Sequence, residues 1–214
     1  MKYKAIIFDL DGVVVSTDNC HFEAWKKLAD AEGIYFDRTI NERLRGVSRM
    51  ESLDIVLEKA EKEYTNEQKA EMAERKNSYY KELIAELDKS AILDGAVEFI
   101  QRAKSLGIKT AIGSSSKNTI AILKQVGIID LFDAIADGND IKNSKPDPEV
   151  LLVAAERLGI SPKDCLVVED ADAGVEAAIS AGMDVLAVGY ASVNSRATYS
   201  ASGLYDNALI EIFK

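Results

Sequence analysis

The chain has 214 residues, 47% hydrophobic and 29% charged, an ordinary globular composition that supports one good-sized domain or two small ones. Its net charge of −10 argues against a nucleic-acid or anionic-membrane partner, so the positive charge for any anionic ligand must be gathered locally. Two cysteines far apart, Cys20 and Cys165, make neither a disulfide framework nor a metal spacing; with no signal-peptide pattern and no apolar run of membrane length, the expectation is a cytoplasmic protein.

The first predicted element is a strand over 4–8. It is apolar without strict alternation, as expected of a strand covered on both faces. It runs into Asp9-Leu10-Asp11-Gly12. The acids are two apart and so share one side of an extended backbone, and Gly12 permits a sharp turn. His21, Phe22, Trp25, Leu28 and Ala29 then follow at helical spacing, stopped by Gly33. Met50, Leu53, Val56, Leu57 and Ala60 mark another helix, and the charge-rich stretch 68–87 one or two more. A purely helical block placed after one strand predicts a separate unit.

From Ile92 onward the pattern alternates. Helices are predicted over 96–106, 118–126, 149–158 and 174–181. Strands are predicted over 108–112, 134–136, 165–168 and 184–188, the last closing the series, and a final helix over 207–213. This rhythm predicts an α/β fold: a Rossmann-like parallel sheet with helices on both faces. The expected core is 1–15 with 89–214, interrupted by an inserted α-helical cap over 16–88.

Ligands of an open parallel sheet sit off the carboxyl ends of its strands. Four such ends carry chemistry here: Asp9 and Asp11; Ser114, Ser115 and Ser116; Lys145 in the loop 137–148; and Glu169 with Asp170. Grouped acids need a cation, and oxygen ligands suit Mg²⁺ better than zinc. A hydroxyl and a lysine beside that cation suit a phosphoryl group, and an aspartate can attack phosphorus to form an acyl phosphate. Each piece alone has a plainer reading. The serines can cap the next helix, Lys145 can be a solvated loop lysine, and Glu169-Asp170 can cap the helix after them.

Asp9-Leu10-Asp11-Gly12, the serine after strand 108–112, Lys145-Pro146 and Glu169-Asp170 resemble, in order and spacing, the four motifs of the haloacid dehalogenase superfamily of phosphotransferases. His21-Phe22-x-x-Trp25, Gly46-Val47-Ser48-Arg49, Ser52, Arg75-Lys76-Asn77 and Ser114-Ser115-Ser116-Lys117-Asn118 are similar to its hexose-phosphate mutase branch. The resemblance implies interconversion of β-D-glucose 1-phosphate and glucose 6-phosphate through a bound bisphosphate, by a monomer acting on small sugar phosphates. It implies Asp9 as nucleophile and Asp11 as general acid/base. Mg²⁺ is then expected on Asp9, the Asp11 backbone carbonyl and Asp170, with Glu169 close by.

Ser114 and Lys145 are expected to hold the transferring phosphate, and Arg49, Ser116, Lys117 and Asn118 the distal one. Ser52 and Lys76 are expected to sense the sugar, and the turn of Gly46, Val47 and Ser48 to bring backbone N–H groups near the ligand. Ser115 and Trp25 complete the expected substrate-side set, although Trp25 by itself reads as packing. Thr17 and His21 are expected at the hinge, His21 bonding Asp11 or the adjoining hinge and gating when Asp11 is presented. Ser16 departs from the family's pattern, which has an acid there. A sugar-phosphate phosphatase acting, for example, on 2-deoxyglucose 6-phosphate would use the same acids. A non-catalytic sugar-phosphate sensor would be expected to have lost Asp9 or Asp11.

Overall fold

The computed structural model describes residues 2–45 and 47–213. They form two compact units, Met1–Ser16 with Asp88–Lys214, and Thr17–Leu87. The first unit is a six-stranded sheet of β1 (Ala5–Phe8), β2 (Lys109–Gly113), β3 (Ala134–Ala136), β4 (Cys165–Glu169), β5 (Asp184–Ala187) and β6 (Tyr199–Ser200). The order is β3-β2-β1-β4-β5-β6 and every pairing is parallel. The strand order reverses beside β1, the point where an open α/β sheet offers a crevice.

β1 and β4 are buried throughout, which is why they read as continuous apolar runs. Ala5, Ile7, Val167 and Val185 pack with Val150, Leu151 and Ala154 of α7 (Glu149–Leu158) and Val175 and Ala178 of α8 (Asp172–Ser180). On the other face the Phe8 ring meets Phe99 of α5 (Ala96–Ser105) edge-on at 6.1 Å, and Phe132 at 6.2 Å. Between β2 and β3 lies α6 (Thr119–Gln125).

The second unit holds α1 (Asp18–Glu32), α2 (Arg38–Glu42), α3 (Arg49–Leu57) and α4 (Asn66–Ile84) around Trp25, Leu28, Phe36, Leu53, Val56 and Met72. The expected one or two helices over 68–87 are one helix, started by a capping box of Thr65 and Gln68. The next signal is Ser48 with Glu51, which starts α3 in the same way.

Three elements differ from expectation. α2 was not foreseen: five residues are too few to show a period, and it starts because Asp37 accepts the Ile40 N–H at 2.9 Å. β5 does not close the sheet, since β6 pairs beyond it through Leu186 and Ala187. Two residues carry no apolar run; tertiary bonding holds them, the Tyr3 hydroxyl donating to Asp184 at 2.6 Å and lying 3.1 Å from the Tyr199 hydroxyl. The closing segment Asn207–Phe213 is 3-10 rather than α-helical. Its buried Leu209 and Ile212 are three apart, the repeat of a 3-10 helix.

The register fixes what lies beyond the strands. Phe8 pairs with Ile112 on one side and Val168 on the other, and the Asp9 N–H donates to the Val168 carbonyl at 2.9 Å. Positions 9, 113 and 169 therefore leave the sheet side by side.

Candidate active site

In the sheet unit, Asp9 and Glu169 come from adjacent strand ends and Lys145 reaches them from the loop after β3. Its Nζ donates to Asp9 Oδ1 at 2.6 Å and to Glu169 Oε2 at 2.7 Å. The side chains of Lys145, Glu169 and Asp9 are 6%, 2% and 13% exposed, so these charges meet largely out of water. Burial opposes charge on Lys145, but the field of Asp9 and Glu169 outweighs it and holds the ammonium above its usual pKa. The plain reading of Lys145 as a solvated lysine is thereby excluded.

One oxygen from each of Asp9, Glu169 and Asp170 lies within 4.8 Å of the others. With protein groups alone this gathering is costly. Burial pushes Glu169 up to about 7, against the pull of Lys145 and helped by the charge of Asp9. Asp170 is pushed up to about 8, by burial first and then by Glu169, Asp9 and Asp11. One ammonium does not offset three clustered carboxylates, and a hard divalent cation with oxygen ligands fits the donor set.

Local sequence makes the crowding feasible. Gly12 has φ of 81°, and a Cβ there would fall 2.0 Å from Asp170 Oδ2. A Cβ on Gly174 would fall 1.9 Å from Glu169 Oε2. Glu169 Oε1 accepts the N–H groups of Asp170 and Ala171 at 3.1 and 3.2 Å, whereas Ala171, the N-cap of α8, has no side-chain cap. The capping alternative thus survives only for Glu169, alongside its bond to Lys145.

Ser114 follows β2 and is buried. It does not cap α6, whose N-cap is Asn118 with no side-chain cap bond. Instead Ser114 Oγ accepts the Ser116 N–H, and Ser116 Oγ the Asn118 N–H, each at 3.2 Å. Ser115 Oγ lies 3.4 Å from the Lys145 N–H. Lys117 is exposed and Asn118 buried.

The helical unit holds a second cluster. Lys76 on α4 is buried, and its Nζ donates to His21 Nδ1 at 3.0 Å. The same ammonium stands 4.8 Å from the centre of the Trp25 ring and 4.7 Å from that of Tyr80. Trp25 therefore packs, as expected, but also forms one wall around a buried cation. The His21 ring lies 4.2 Å from that of Tyr80, whose hydroxyl is 2.8 Å from Thr17 Oγ1. Burial, then the charges of Lys76, Arg49 and Arg45, lower the pKa of His21 well below 6.5 and keep it neutral. Arg49 donates to Glu74 Oε1 and Asn77 Oδ1, both at 3.0 Å. Ser48 caps α3, Ser52 is buried and Val47 is exposed; Gly46 lies outside the described residues.

Sequence reasoning missed Tyr80. The signal for Tyr80 was its place four residues after Lys76 on one helix face. Asn77 was marked only as part of the Arg75-Lys76-Asn77 resemblance, without a role; the structure shows it accepting from Arg49.

Comparison with known proteins agrees with this geometry. The model of the haloacid dehalogenase-like hydrolases matches residues 3–182. A Bacillus subtilis β-phosphoglucomutase is 46% identical over 188 residues, 87% of this chain and 83% of that protein. A phosphorylated carbohydrates phosphatase of Thermotoga maritima is 35% identical over 184 residues, 85% and 82% of the two chains. The crystal structure of a β-phosphoglucomutase from Clostridium difficile superposes with a TM-score of 0.89 at 42% identity, covering 98% of this chain and 96% of its own. A family match over so much of the sheet and the inserted helices, with all four strand-end motifs inside it, means that this chain belongs to the haloacid dehalogenase-like hydrolase family.

Proposed function

We propose that the chain is a Mg²⁺-dependent β-phosphoglucomutase, interconverting β-D-glucose 1-phosphate and D-glucose 6-phosphate through β-glucose 1,6-bisphosphate and an aspartyl phosphate. The observation that carries it is Lys145 bridging Asp9 and Glu169, which orients one Asp9 oxygen and leaves Oδ2 for attack on phosphorus. The higher identity to a mutase than to a phosphatase supports the choice of acceptor.

Mg²⁺ would be held by Asp9, the Asp11 carbonyl and Asp170, with Glu169 beside them; it supplies charge neutralisation at the phosphoryl oxygens. Starting from phosphorylated Asp9, Asp11 takes the proton of the sugar 6-hydroxyl as that oxygen bonds to phosphorus and the bond to Asp9 breaks. The bisphosphate turns end for end. Asp9 then attacks the phosphorus at C1, and Asp11 returns its proton to the departing C1 oxygen. Lys145 and Ser114 hold the phosphoryl group in flight. Arg49, Ser116, Lys117 and Asn118 hold the other phosphate; a planar guanidinium can do so bidentately. Ser52 and Lys76 recognise the sugar, and His21 with Thr17 governs when Asp11 is presented.

The test is to supply β-D-glucose 1-phosphate, Mg²⁺ and a trace of the bisphosphate and to follow glucose 6-phosphate and free phosphate together. Isomerised sugar in large excess is the expected result. Mostly free phosphate would make the chain a sugar-phosphate phosphatase.

A further inference from the structure

The loop after β3 does more than carry Lys145. β3 is a three-residue edge strand with one neighbour, so the sheet alone fixes its continuation poorly. The continuation is nonetheless bonded at three points, Ala136, Gly138 and Asn139, to the serine loop after β2. The Ser114 N–H donates to the Ala136 carbonyl and the Gly138 N–H to the Ser116 carbonyl, each at 3.1 Å. Asn139 Nδ2 donates to the Lys117 carbonyl, also at 3.1 Å. The approach at Gly138 is so close that a Cβ there would fall 2.3 Å from the Ser115 carbonyl oxygen.

Two anchors hold this turn. Buried Asp137 accepts on Oδ1 from the Asn139 N–H at 2.8 Å and from Asn139 Nδ2 at 3.0 Å. Asp140 Oδ2 accepts the Asp137 N–H at 2.9 Å and, with Oδ1, takes a two-pronged bond from Arg157 at 2.9 and 2.6 Å. Arg157 stands on the last turn of α7 and also donates to the Ile135 carbonyl of β3. At the far end of the loop, Glu149 Oε2 accepts the N–H groups of Lys142 and Asn143 at 3.0 and 2.8 Å. The Asp140–Arg157 pair is too exposed, at 27% and 42%, to add much stability. Its bonds all serve placement.

We infer that Asn139, aimed by Asp137 and by the Asp140–Arg157 pair, is a positioning residue: it sets the carbonyl frame of the 114–118 loop and thereby the grip on the part of the substrate remote from the transferred phosphoryl group. The inference rests on the function proposed above, in which Ser116, Lys117 and Asn118 hold the distal phosphate. Asn139 is exposed, so its replacement removes no core contact, and unchanged circular dichroism is expected for the variant.

The experiment compares Asn139→Ala and Arg157→Leu with the unaltered chain on glucose 1-phosphate and on acetyl phosphate, which has no distal group. One lost hydrogen bond predicts roughly a five- to tenfold rise in KM for the sugar phosphate with kcat nearly constant, while turnover of acetyl phosphate falls by less than about twofold. The double variant should be no worse than the more impaired single one, because both cut one device. Equal losses on both substrates, no change in KM, or additive effects in the double variant would overturn the inference. If the unaltered chain releases only free phosphate, the mutase reading falls separately, and the KM contrast still tests Asn139 on sugar-phosphate hydrolysis.

Discussion

The two units solve opposite electrostatic problems. The sheet unit collects acids at strand ends, where burial and then neighbouring carboxylates push Glu169 and Asp170 up against the pull of Lys145, the ammonium bonded among them. The helical unit collects cations: His21 is pushed down by burial first and then by the charges of Lys76, Arg49 and Arg45. For a chain of net charge −10 the second collection is the unusual one. Backbone geometry forces the first, because neighbouring parallel strands end together. Nothing in a helix forces the second; it depends on long side chains meeting across α1 and α4 and on aromatic rings that accept an ammonium. The acid cluster suits a cation and phosphoryl chemistry, and the cation cluster suits an anionic sugar.

Substitutions can break this contrast at either end. The largest effect is expected from Asp9→Asn, which should cut phosphoryl transfer by about a thousandfold or more, as nucleophile removal does elsewhere, with circular dichroism unchanged. Retained turnover would remove Asp9 as the nucleophile. Next comes Lys145→Met. It strands Glu169 without its cation and should lower stability in Mg²⁺-free urea denaturation by about 3–5 kcal/mol. Adding Glu169→Gln should recover much of the loss, and a double variant as unstable as the single one would show that the pair is not what Lys145 supports.

In the helical unit, Arg49→Ala should raise KM for glucose 1-phosphate about 10–100-fold, the worth of a charged hydrogen bond, and leave acetyl phosphate turnover much less affected. Equal losses would argue against a distal-phosphate role. The smallest effect concerns His21, the chain's one histidine. Its folded pKa lies below the unfolded 6.5, so the unfolded chain binds more protons in acid. The stability it contributes is present above pH 6.5 and is lost as pH falls below that, with a slope of at most about 1.4 kcal/mol per pH unit. His21→Gln should flatten that part of the profile, and imidazole resonances that titrate near 6.5 in the folded protein would contradict the buried, neutral ring.

Much of the sheet was legible because β1 and β4 are buried on both faces and so read as apolar runs. Asp9 and Glu169 were legible because acids at such ends demand a partner. That Lys145 is that partner was not, since Asp9 and Lys145 are 136 positions apart in sequence. Lys76 was marked only by resemblance; its stretch of α4 is charge-rich, and its burial arises from Trp25 on another helix. β6 and α2 were missed because two and five residues are too short to show a period. Asn139 and Arg157 gave no signal, as their bonds run to backbone carbonyls and to a loop acid that have no pattern of their own.

The central claim is that Asp9 becomes phosphorylated. It is tested most directly by incubating the chain with acetyl phosphate and Mg²⁺, trapping the acyl phosphate with borohydride and mapping the modified residue by peptide mass spectrometry. The account predicts reduction of Asp9 to homoserine, dependent on acetyl phosphate and absent in Asp9→Asn; trapping at Asp11, or none at all during turnover, would contradict it.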